Sequence, residues 1–298
     1  MVGWLPDAEF PYGPQGAKPK RIFICPDPPP KPFLIGGHRY LFKEPSRSRM
    51  CQIWSEVISY EIARHLGLQV PPAFLATGPE TDNPGVLIEF FYGHPGDSEY
   101  RFVHAIERFQ GLGIPVNLRR GSLRDNIQLC RLHRIADWRD WWSDTLIFDT
   151  MIGNTDRHSE NWGFMTLLGS DGIEYRMAPA FDNGTSLGFI VRDEDLEVFT
   201  DPQRLSSFVN RGTHHFGWQS GDHTSAKHVE LCKIFYDKVP ELRRASDIAI
   251  ALANDHIEDI VDWCSRFSFP LRFSPQRGQF VSSQLCYRRS ALQAAFGG

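Results

Sequence analysis

The chain has 298 residues, 41% hydrophobic and 13% aromatic, enough to bury a sizeable core as one large domain or two lobes. A formal net charge of −4 argues against non-specific nucleic-acid binding, which needs a strongly basic face. No apolar run approaches the roughly 20 residues of a membrane span, and Met1 to Phe10 lacks the basic and apolar regions of a signal peptide, so a cytoplasmic protein without membrane contact is expected.

The six cysteines are Cys25, Cys51, Cys130, Cys232, Cys264 and Cys286. None forms a C-x-x-C pair or sits near a histidine at zinc-ligand spacing, which reads as reduced thiols. Strand-like runs are expected at Arg21 to Cys25, at Phe33 to Ile35 and, after the Gly36-Gly37 turn, at His38 to Lys43. From Gln52 to Leu66 the apolar residues Ile53, Trp54, Val57, Ile58, Ile62 and Leu66 recur at helical spacing, with Gly67 as C-cap. Val86 to Phe91 is a short buried strand.

From about Val103 the pattern is mainly helical, with one apolar helix over Trp138 to Ile152. A hairpin follows: Trp162 to Leu168, then Ile173 to Met177, joined through Asp171-Gly172. An irregular charged stretch runs from Asp182 to about Thr224. Ala226 to Phe267 and Phe280 to Phe296 are mostly helical. The plan is α+β: a small β-rich part with one helix, then a larger helical part carrying a polar hairpin.

The densest polar run, Gly153-Asn154-Thr155-Asp156-Arg157-His158-Ser159-Glu160-Asn161, lies between the apolar helix and the hairpin. At the far end of the hairpin stands Ala178-Pro179-Ala180-Phe181-Asp182-Asn183-Gly184. A loop at a helix end can hold Asp156 against an attacking hydroxyl and aim the Asn161 amide oxygen at a metal. The hairpin then returns Asp182 to the same metal. Such an arrangement suits phosphoryl transfer with Mg2+, which takes hard oxygen ligands. Asp156 and Asn161 have the D-x-x-x-x-N spacing of a protein-kinase catalytic loop.

Leu146 to Phe164 resembles the catalytic segment of the HipA-like serine/threonine kinases, roughly I-G-N-x-D-x-H-x-x-N-x-x-F. Ala178 to Ser186 resembles their A-P-x-[YF]-D-x-x-S segment. The resemblance is to a short form without the extra N-terminal subdomain. It implies a two-lobed protein-kinase-like fold, with an N-lobe over 1–95 and a C-lobe over 96–298. It implies ATP and Mg2+ as cofactors, Asp156 as catalytic base, His158 as a support of the catalytic loop, and Asn161 and Asp182 as metal ligands. Lys43, in a strand-Lys-x-Pro segment, and Glu56, on the following helix, are the expected phosphate lysine and its partner, with Glu44 and Glu61 as competing acids. Glu89 and Phe91 mark the adenine-reading hinge, and the Gly13 to Lys18 loop the phosphate cover.

The resemblance further implies a protein substrate with a Ser or Thr acceptor. By analogy the chain is a toxin held by a small DNA-binding antitoxin partner, with no direct nucleic-acid contact of its own. Two alternatives stay open. The D-R-H-x-x-N loop is also similar to that of phosphatidylinositol kinases, which makes a lipid or small alcohol the acceptor. A pseudokinase scaffold that binds a partner is the other. The histidines His214, His215, His223 and His228 read as a partly exposed cluster rather than a metal site, and Arg119-Arg120 and Arg288-Arg289 as solvated basic pairs.

Overall fold

The computed structural model describes residues 1, 3–8, 20–96, 100–114, 121–169, 172–222 and 224–297. The Gly13 to Lys18 loop, Arg119-Arg120, the Ser170-Asp171 turn and His223 lie outside the described residues. The first part is a five-stranded antiparallel sheet of β1 (Leu5–Pro6), β2 (Lys20–Ile24), β3 (Arg39–Lys43), β4 (Ala73–Thr77) and β5 (Pro84–Glu89), in the order β1-β2-β3-β5-β4. Helix α1 (Gln52–Leu66) crosses between β3 and β4, and Gly67 ends it in the left-handed conformation at φ 69°. One face, with Ile53 and Val57, packs on Ala73, Val86 and Ile88 of the sheet. The opposite face, with Trp54, Ile58 and Ile62, enters the core of the second part. Burial on both faces places Glu56 inside the molecule.

The expected strand at Phe33 to Ile35 does not form. Pro28, Pro29, Pro30 and Pro32 remove backbone donors there. The segment instead makes turns: Leu34 N–H donates to Lys31 O at 3.1 Å, and Ile35 N–H donates to the Tyr40 hydroxyl at 3.0 Å. The partner of β3 is β2, in a register that sets Lys20 opposite Lys43.

The second part contains a three-stranded sheet, β6 (Arg101–His104), β7 (Gly163–Gly169) and β8 (Gly172–Met177), in that order. Strand β6 falls where the sequence reads as helix. It is held by β7, with His104 opposite Gly163. A Cβ at Gly163 would stand 2.3 Å from Val103 O, so only glycine allows this approach. Around the sheet lie α2 (Ala105–Gly111), α3 (Leu123–Leu132), α4 (Trp138–Ile152), α5 (Pro202–Asn210), α6 (His228–Tyr236), α7 (Pro240–Ile250), α8 (Asn254–Ser265) and α9 (Pro275–Phe296). The stretch expected to be irregular contains a 3-10 helix, Asp193–Thr200, and α5. The Asp201 side chain caps α5 by accepting from Gln203 N–H at 2.8 Å, with Pro202 at its first turn.

Helix α4 is the central element of the helical part. Trp142, Leu146, Phe148 and Met151 are buried against Trp162, Phe164, Phe216 and the apolar faces of α6, α7 and α9. This packing fixes the C-terminal end of α4, where the chain turns at Gly153 into the polar loop. All six cysteines are free. Among the described residues no helix is long and apolar enough to cross a membrane.

Candidate active site

Five residues singled out from sequence converge where the sheet meets the helical part. Lys43, at the end of β3, is buried and donates from Nζ to Glu56 Oε1 and to Asp182 Oδ1, both at 2.7 Å. Burial alone would lower the Lys43 ammonium, but Asp182 and then Glu56 outweigh it and raise its pKa. Glu44 instead accepts from Asn83 and Glu61 from Arg64, so neither competes for Lys43. Glu56 uses its second oxygen to accept from Asn183 N–H at 3.0 Å. One carboxylate thus ties α1 to the loop after β8. Asp182 itself sits at φ 59°, a left-handed position that Asp tolerates better than most residues. A second cation, Lys20 Nζ, approaches Asp182 Oδ2 at 3.9 Å.

Asp156 and Asn161 lie on the loop after α4, which Arg157 joins to the Asp182 loop by donating to Asn161 O and Phe181 O. Asn161 Nδ2 donates to Asp156 O at 2.7 Å, and Asn161 N–H to His158 O at 2.7 Å. The loop is therefore closed on itself, and the amide oxygen of Asn161 points away from the donated bond. An amide oxygen and a carboxylate, as Asn161 and Asp182 carry, are hard donors of the kind Mg2+ takes and soft metals do not. His158 Nδ1 accepts from Glu160 N–H at 3.2 Å, which puts the proton on Nε2, 3.8 Å from Asp156 Oδ1. His215 Nδ1 lies 3.9 Å from the same oxygen. Two imidazoles thus flank a carboxylate that is 42% exposed.

Beneath the loop lies a buried network that the sequence reading missed. Arg157 is 1% exposed, and its guanidinium donates from Nε and Nη2 to both oxygens of Asp149, at 3.1 and 2.8 Å. It also donates to Asn183 Oδ1 at 2.6 Å, to Asn161 O at 3.2 Å and to Phe181 O. One side chain thereby joins α4, the Asp156 loop and the Asp182 loop. Asn154 adds a second tie: its Nδ2 donates to Asp149 Oδ1, and its Oδ1 accepts from Asp156 N–H and from Thr185 Oγ1.

The buried Lys43–Glu56 pair meets Asp182, and the chain also carries a D-x-x-x-x-N loop, a set of parts that protein kinases use around phosphate. Residues 14–262 match the family model described as the HipA-like C-terminal domain. The chain belongs to the HipA-like family. Its fold superposes on the crystal structure of the Helicobacter pylori proinflammatory kinase CtkA with a TM-score of 0.75 and 19% identity, over 98% of this chain and 95% of that one. A 44-residue stretch, 15% of this chain, is 50% identical to serine/threonine-protein kinase CtkA of Helicobacter pylori strain J99, and spans only 13% of that relative. HipA of the Shewanella oneidensis MR-1 toxin–antitoxin system, solved with HipB and operator DNA, aligns over 98% of this chain and 68% of its own, with a TM-score of 0.53 and 15% identity. The fold of this HipA-like chain is thus protein-kinase-like, α+β.

The hinge expectation on Glu89 and Phe91 divides between two different roles. The Glu89 carboxylate accepts from Tyr40 Oη and contacts His94 Nε2, both at 3.2 Å, and its N–H donates to Pro72 O. Its polar groups therefore hold the end of β5. Phe91 stacks on Phe181 with ring centroids 5.6 Å apart, and Phe102 stands edge-on to both. This aromatic group connects the segment after β5 to the residue immediately before Asp182.

The histidine cluster differs from the expected partly exposed group. His214 and His228 are 1% and 3% exposed, enclosed by α4, α6 and α9. Burial pushes His214 down to about 4; Asp149 opposes this, and Arg157 and Arg288 reinforce it. Between pH 6.5 and 4 the unfolded chain binds a proton at His214 that the native chain does not. Stability from this group is therefore complete above about 6.5 and is lost as pH falls, by about 3 kcal/mol in full at roughly 1.4 per pH unit. Urea unfolding at pH 7.5 and 4.5 should show His214→Gln losing less stability across that interval than the wild type. Equal losses in both proteins would disprove the assignment.

Proposed function

We propose that this HipA-like chain is an ATP- and Mg2+-dependent protein serine/threonine kinase, with its nucleotide held between an N-lobe over 1–95 and a C-lobe over 96–298. The observation that carries the reading is the Lys43 ammonium held 2.7 Å from both Glu56 and Asp182, with the Asp156–Asn161 loop tied to the Asp182 loop through Arg157. Without nucleotide, Asp182 serves as counter-charge for Lys43. With nucleotide, Lys43 turns to the phosphates while Glu56 keeps it in place. Asn161 and Asp182 hold Mg2+, which supplies charge neutralisation at the transferring phosphoryl group. Asp156 orients the acceptor hydroxyl and takes its proton, and His158 supports the loop beside it. Phe91 belongs to the adenine-reading hinge, and Glu89 fixes the strand that leads into it.

Family membership and the CtkA match support protein as the acceptor over a lipid or a small alcohol. The decisive experiment is transfer of labelled phosphate from ATP, with Mg2+, to the chain itself and to mixed protein acceptors. Asp156→Ala should lower transfer by about a hundredfold or more. Equal transfer by wild type and variant, or none by either, rejects the kinase reading. A toxin role with a small DNA-binding partner follows the HipA precedent. It predicts growth arrest on expression that Asp156→Ala relieves.

A further inference from the structure

Helix α9 carries a buried arginine whose polar contacts lead toward the catalytic loop. Arg288 is 6% exposed, although its sequence reads as part of a solvated basic pair. Among the described residues no carboxylate lies within ion-pair distance of it, and its Nε finds no hydrogen-bond partner. Burial alone lowers its pKa to about 10, so the guanidinium remains a cation. A buried charge without a counter-charge destabilises the fold and calls for a compensating use.

The contacts of this cation form a chain. Arg288 Nη1 donates to Thr150 O at 3.3 Å and to His228 Nδ1 at 3.1 Å. Because guanidinium only donates, His228 Nδ1 must accept, which leaves the proton on Nε2. His228 Nε2–H then donates to Asn154 O at 2.9 Å. The side chain of Asn154 accepts the Asp156 N–H at 3.1 Å and the Thr185 hydroxyl at 3.0 Å. Gly153 completes the fit. It stands at φ 67°, and a Cβ there would lie 2.4 Å from Arg288 Nη2. The guanidinium therefore rests on the one residue of the loop that has no side chain.

We infer that Arg288 is a positioning residue of the phosphotransfer centre, acting through His228 and Asn154 to hold the backbone at Asp156. This rests on the kinase reading above. Arg288 does not touch the reacting atoms. It fixes one tautomer of His228, and that tautomer fixes the Asn154 carbonyl, two residues before the catalytic aspartate. A protonated His228 would set two cations face to face and remove the acceptor for Arg288. Helix α9 is thereby wired to the catalytic loop, whereas Lys43, Glu56 and Asp182 are tied to one another directly.

The test compares Arg288→Met, His228→Leu and His228→Gln with wild type, by kinetics and by hydrogen exchange, at a temperature where all four are folded. Arg288→Met and His228→Leu should lower kcat by about tenfold or more while the KM for Mg-ATP stays within about twofold. His228→Gln, whose amide can accept from Arg288 and donate to Asn154, should recover most of the rate lost in His228→Leu. Exchange should quicken in peptides covering 153–158 and stay unchanged in α1. Wild-type kcat and wild-type exchange in both Arg288→Met and His228→Leu would overturn the inference, as would exchange loosened equally throughout the chain. If wild type and Asp156→Ala both fail to transfer phosphate, the kinase reading fails, and the exchange pattern alone decides the Arg288 relay.

Discussion

Asp182→Asn is expected to cut phosphate transfer by about a thousandfold or more while leaving the protein folded. The substitution keeps the shape of the side chain, and Asn adopts the left-handed conformation required at φ 59° as readily as Asp. Lys43 loses one of its two carboxylates and keeps Glu56 at 2.7 Å. The lost carboxylate is the anionic member of the proposed Mg2+ pair, since Asn161 supplies only a neutral amide oxygen. Thermal unfolding supplies a readout separate from catalysis. A ligand at 100 times its Kd stabilises the native state by about 2.7 kcal/mol. The wild type should show such a shift with Mg-ATP and a much smaller one with ATP and chelator. In Asp182→Asn the two conditions should give the same shift. A Mg2+-dependent shift that persists in the variant would remove Asp182 from the metal site.

What could be read from the sequence follows the range of the interactions involved. Helix α1, helix α4 and the β7–β8 hairpin announce themselves because period and turn chemistry are local. The contacts of Lys43 with Glu56 and Asp182, and of Asn161 with Asp156, join residues that each sit at a recognisable place on such an element. Strand β6 was not legible, because Arg101 to His104 becomes a strand only through pairing with β7, some 60 residues later in the chain. Helix α5 was missed although Asp201-Pro202 is a readable helix start. The buried network was hidden for another reason. Arg157, His228 and Arg288 are residue types that usually face water, and nothing local distinguishes a solvated Arg-Arg pair from one whose first member reaches Thr150 across 138 residues. Glu56 and Glu61 are hard to tell apart from sequence, since α1 is apolar on two faces and its polar positions lie between them.

Arg157→Met is the substitution expected to cost the most stability. Arg157 and Asp149 are each 1% exposed, and their bidentate pair is shut off from bulk solvent. Removing the guanidinium leaves the Asp149 carboxylate buried with the Asn154 amide as its remaining side-chain donor. Breaking a buried pair from one side costs about 3–5 kcal/mol. That is a large part of the roughly 5–15 kcal/mol that holds a typical domain folded. Arg157→Lys should recover little, because one ammonium cannot reproduce a planar fork that reaches both Asp149 oxygens, Asn183 and two carbonyls. The double variant Asp149→Asn, Arg157→Met should be more stable than the sum of its single losses, since it leaves no unpaired buried charge. Urea unfolding of these variants and of the Asp149→Asn single variant measures this directly, and a loss under about 1 kcal/mol for Arg157→Met would refute it. Activity separates the second role of the same side chain. Arg157 holds the carbonyls of Asn161 and Phe181, so it sets the spacing between the loop that carries Asn161 and the loop that carries Asp182. At low temperature, with the variant still folded, transfer should remain depressed, and raising Mg2+ should restore part of it, because a metal held by both loops would compensate for the tie that Arg157 supplied, leaving that of Asn154 to Thr185 in place.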